Sequence, residues 1–103
     1  MKYTVIASLE AATLSARDGL FTSIETRLAG KPAKSDSSKG NDLKSGKPNC
    51  SLSVRFDNEA DMADLFGFIK GKMVSGVTGK VTHHNCYHGE KETPCIIDEE
   101  YEV

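Results

Sequence analysis

The chain contains no tryptophan, only three prolines, and three cysteines, an odd number that cannot form a complete disulfide framework. No run approaches the roughly 20 consecutive apolar residues needed to cross a bilayer, which argues against a membrane-spanning helix. Phosphate-binding glycine motifs are missing too. There is no Gly-x-x-x-x-Gly-Lys-Ser/Thr run, no Gly-x-Gly-x-x-Gly follows a strand, and the Gly-Lys pairs present lack that spacing. Hydrophobic residues make up only 38% of the 103 positions. Most of that deficit lies in one stretch, Gly30 to Asn49, where Leu43 is the only sizeable apolar side chain. Such a segment cannot bury enough surface to offset its ordering entropy, so it is expected to be a mobile loop within one domain spanning residues 1–103.

Net charge is −2, but it is unevenly spread. Residues 31–49 carry five lysines against two aspartates, whereas residues 50–103 carry five basic against ten acidic side chains. A basic loop on an acidic body argues against general nucleic-acid affinity, which needs a net basic face to displace counterions. Near the N-terminus, Lys2 and the apolar residues after it have a faint signal-peptide shape. Glu10 interrupts what would have to be a continuous apolar core. The segment therefore reads as a first strand, and the expected location is cytoplasmic.

Periodicity gives the elements. Tyr3, Val5, Ala7 and Leu9 alternate on one face of a strand, and Cys50, Leu52, Val54 and Phe56 do the same. Between them, Ala11 to Leu28 has near-helical spacing. Asp18-Gly19 is expected to break it, leaving a firm helix from Gly19 to the stop signal at Gly30 and Pro32. Asp57-Asn58 caps a second helix in which Met62, Leu65, Phe66, Ile69 and Met73 form an amphipathic stripe. Gly67 and Gly71 share one side of it, a spacing that close approach of a neighbouring element would justify. Lys80 to His88 and Cys95 to Glu102 read as a closing hairpin, with Gly89 and Pro94 at its turn. The expected architecture is α+β, a two-layer sandwich. A four-stranded mixed sheet carries two helices on one face, in the order β-α-loop-β-α-β-β, with the first two strands parallel.

Specific chemistry is concentrated in residues 83–95, which hold all three histidines and two of the three cysteines. In an extended strand, alternation puts His84, Cys86 and His88 on one face, about 6.6 Å apart in succession. Any two of these, together with Cys95 returned by the hairpin, form a candidate metal set, completed by Glu90, Glu92 or water. Zinc is the ion that such ligands favour, although the spacing matches no standard zinc module. A Cys86–Cys95 disulfide is a second reading, and Cys86 as a nucleophile activated by a neighbouring histidine is a third. Cys50, on the apolar face of its strand, reads as an inert core thiol.

The function expected from these features is a small non-enzymatic regulatory or inhibitory module that binds a protein partner through charged surface. Asp98, Glu99, Glu100 and Glu102 would supply the acidic contact and Lys34, Lys39 and Lys44 the basic one. Two alternatives follow from the same residues. One is a metal- or thiol-dependent hydrolase built on His84, Cys86, His88 and Cys95. The other is a nucleic-acid binder using the basic loop, which lacks the interleaved aromatics that stacking on bases needs.

Overall fold

A computed structural model describes residues 3–41, 43–85 and 96–103, with backbone alone for residues 85 and 96–98. The elements are β1 (Tyr3–Glu10), α1 (Leu14–Leu28), β2 (Ala33–Asn41), β3 (Pro48–Phe56), α2 (Glu59–Val74), β4 (Thr78–Asn85) and β5 (Ile96–Glu102). They form an α+β fold with a five-stranded sheet in the order β2-β3-β1-β4-β5.

The sheet has five strands and not the expected four, because the polar stretch 30–49 holds β2. Every residue from Ala33 to Asn41 pairs with β3, from Phe56 back to Pro48. This strand gives no apolar alternation because its side chains are almost all exposed. The hydrogen-bond ladder to β3 outweighs poor local propensity, as tertiary context often does in strands. β2 also corrects the strand directions. β3 runs antiparallel to β1, not parallel to it, and every neighbouring pair in the sheet is antiparallel. The strand parallel to β1 is β2, with β3 inserted between them. That is the split β-α-β pattern of ferredoxin-like folds, here with β5 added beside β4. The expected antiparallel arrangement of the last two strands is present.

The first helix begins at Leu14, and Asp18-Gly19 does not interrupt it. Thr13 Oγ1 accepts the Ala16 N–H at 3.1 Å and so satisfies one of the free amides of the first turn. Asp18 turns its carboxylate to Arg17, at 3.1 Å, and does not compete for the backbone. Asn58 caps α2 as its position suggests, its Oδ1 accepting the Asp61 N–H at 2.8 Å.

Both helices cover the same face of the sheet, α1 over β3 and α2 over β4, β1 and β3. Val5, Ala7, Leu9, Leu52, Val54, Phe56 and Val81 meet Leu20, Ile24, Met62, Leu65, Phe66, Ile69 and Met73 in one buried cluster. Complete burial of each large aliphatic, aromatic or methionine side chain contributes about 1.5–3 kcal/mol. Gly67 and Gly71 have nothing within 4 Å of a built Cβ, so no close approach of an element among the described residues explains them. No helix among the described residues is long and apolar enough to cross a membrane.

Candidate functional site: the uncovered sheet face

With both helices on one side, no helix among the described residues covers the other side of the sheet. Directly opposed residues of antiparallel strands project to the same side, so the register writes this face out in rows. Lys34, Arg55, Thr4 and His84 form one row, and Asp36, Ser53, Ile6, Thr82 and Glu100 the next. Ser38, Ser51, Ser8, Lys80 and Glu102 form the third. Among the described side chains the face is built of hydroxyls and charges around Ile6, a half-exposed aliphatic at 44%. A shallow open depression of about 440 Å³ lies over Ile6, Ser8, Asp36, Ser38, Ser51 and Ser53.

Two side chains of the first row are buried despite facing away from the helices, Thr4 at 3% and His84 at 6% exposure. Thr4 Oγ1 has no hydrogen-bond partner among the described residues. His84 shares its face with Thr82, while Val81 and His83 face the helices, which is the alternation expected of an extended β4. Cys86, His88 and Cys95, with which His84 was grouped as a metal or nucleophilic set, lie outside the described residues. Among the described residues no group of three or more histidine, cysteine or acidic side chains is placed to hold a metal ion.

The acidic residues near the C-terminus do not form a single strip. Glu100 and Glu102 lie on the uncovered face, and Glu99 lies on the helix-covered one, because alternate strand residues change sides. Lys80 Nζ reaches Glu100 at 3.2 Å. Glu99 sits between His83 Nε2 at 3.2 Å and Lys70 Nζ at 3.5 Å. The His83 hydrogen bond, assisted by the Lys70 charge, holds the Glu99 carboxyl below its ordinary range against a smaller opposing effect of desolvation. His83 also packs edge-on against Phe66, with ring centroids 4.6 Å apart. Asp98 falls at a register irregularity, since Glu99 pairs with His83 and Ile97 with His84. Glu102 has no ion pair among the described residues.

The basic residues of the segment are equally dispersed. Lys34 projects onto the uncovered face. Lys39 lies on the other, with Nζ 4.6 Å from the centre of the Phe21 ring and 3.9 Å from Asp18. Lys44 is in the exposed turn after β2. Lys31 reaches back to Asp64 at 3.1 Å. Arg55, absent from the sequence-based set, stands beside Lys34 at the basic corner of the uncovered face. Its place on the polar side of the alternating β3 was the available signal, but its neighbour came from a strand that the sequence did not announce. Cys50 is buried in the core, and burial raises its thiol pKa above the ordinary value while Arg17 and Lys39 pull the other way.

No known protein family matches the sequence, and no curated protein does. Among solved structures the chain is similar to a de novo designed protein, Foldit4, at a TM-score of 0.66 and 10% sequence identity. The similarity covers 81% of this chain and 96% of that one. At such identity the likeness concerns the fold alone.

Proposed function

We propose that the protein is a small non-enzymatic module, regulatory or inhibitory in kind, that binds a basic protein surface through the β4–β5 side of its uncovered sheet face. The observation that carries this reading is the placement of Glu100 and Glu102 together on that face, with Lys80 their one ion-pair partner among the described residues. Asp98 adds a further acidic residue in the same strand. Broad, shallow relief suits contact with a macromolecule, whereas small-molecule sites are concave and bury most of their ligand. Charge of one sign at a rim steers encounter with a complementary surface and is screened over roughly 8 Å at physiological salt.

The test is affinity capture with the whole chain, comparing wild type with the double variant Glu100→Gln, Glu102→Gln over a salt series. A specific partner should be lost in the double variant and should elute from wild type as salt rises. A partner held equally by both proteins, at all salt concentrations, excludes this surface.

A further inference from the structure

We propose that two copies of this chain associate through their β2 edges, as an antiparallel pair centred on Ser35 that joins two five-stranded sheets edge to edge. The two edges of this sheet are built differently. β5 is broken by the register irregularity at Asp98, and pairing it with itself would bring a strongly acidic strand against its own copy. Bulges and like charges of this kind are how sheets prevent edge-to-edge pairing. β2 has neither protection. Its register with β3 is unbroken from Ala33 to Asn41, so its outer side presents a regular ladder of backbone groups. Ser35 and Ser37 are small and exposed, with α1 side chains such as Glu25 and Leu28 beside them on the helix-covered side only.

The charges on β2 select one register. On the uncovered face Lys34 stands directly opposite Arg55, and like charges in that relation destabilise a strand pair. Neither cation has an ion pair among the described residues, and neither does Asp36, two positions along the same face. A two-fold axis through Ser35 sets Lys34 of each copy opposite Asp36 of the other. Each Lys34–Arg55 repulsion then gains a carboxylate on its open side, twice per dimer. Neighbouring registers do not achieve this. Centring on Lys34 or Asp36 opposes like charges, and centring on Ser37 leaves Lys34 opposite Gly40.

Engineered cysteines read the register directly. Opposed residues of an antiparallel pair have Cα atoms about 4.5–5.5 Å apart, within the span of a disulfide. Under mild oxidation Ser35→Cys should give a homodimer whose linked peptide maps to position 35. Ser37→Cys should give none beyond the native chain, its two copies lying about 13 Å apart in this register. Sedimentation velocity supplies the second arm. Lys34→Asp and Asp36→Lys should each remove the dimer, and the two exchanged together should restore it. All these positions are exposed, and a thermal melt of each variant checks that it folds. Linkage at 37 as efficient as at 35, no linkage above the native chain, or a double exchange that stays monomeric overturns the proposal. Glu100→Gln, Glu102→Gln lies on the opposite edge and should leave the dimer intact, so the two proposals fail separately.

Discussion

His83 Nε2 lies 3.2 Å from Glu99 Oε2 across the β4–β5 pair, tying the outermost strand to its neighbour on the helix-covered side. Because this contact lowers the Glu99 pKa in the folded state, the stability it supplies is present above the unfolded value, about 4.3 for glutamate. That stability is lost as pH falls through the depressed folded value. Glu99→Gln should therefore melt below wild type at neutral pH, with the difference closing under about pH 4. Thermal melts across pH 7 to 2.5 check this, and a gap that stays constant over the range would show the carboxylate to be idle.

Gly79 is required where β4 crosses β1. Its φ is +134°, and a Cβ built there falls onto the Ser8 carbonyl oxygen. The same residue exchanges two backbone hydrogen bonds with Val103, at 3.0 and 3.2 Å. Gly79→Ala should lose about 1–3 kcal/mol from the backbone conformation alone, and more from the overlap. Urea unfolding measures the loss.

The helical glycines predict the opposite sign. Gly67 and Gly71 sit in α2 with open space where a methyl would go. Alanine at either should stabilise the protein by about 0.5–1 kcal/mol, since it removes unfolded-state freedom without a clash. Equilibrium unfolding of each single variant is sufficient, and a loss of stability would reveal a contact on this side of α2.

Cys50 should resist alkylation in the folded protein. It is buried among core side chains, and burial raises its thiol pKa, so little thiolate is exposed to reagent. Iodoacetamide labelling at pH 8 followed by peptide mapping should find position 50 modified only in denaturant.

Legibility from sequence followed burial. β1, β3 and α2 were readable because Val5, Leu52, Val54, Ile69 and their neighbours each meet the core on a fixed period. β2 was not, since Ser35, Ser37 and Lys34 form a strand through backbone pairing alone and leave no apolar signature. The missing strand then misdirected the topology, because β3 looked like the strand that follows the first crossover. Of the candidate site, the extended reading of β4 holds for His84, which lies with Thr82 on one side while Val81 and His83 take the other. Alternation also separates Glu99 from Glu100 and Glu102, although composition alone presents those acids as one strip. Arg55 acquires its role beside Lys34 only in three dimensions.

A strand that is exposed on both sides is fastened differently from the rest of this sheet. Detaching β2 breaks its ladder to β3 but uncovers little greasy surface, so its opening is decoupled from global melting. Amide protons from Ala33 to Asn41 should exchange with deuterium well before those of β1, as mass-resolved labelling would register. The architecture thus behaves as a durable four-stranded body with one detachable margin, which a docking copy could clamp in place.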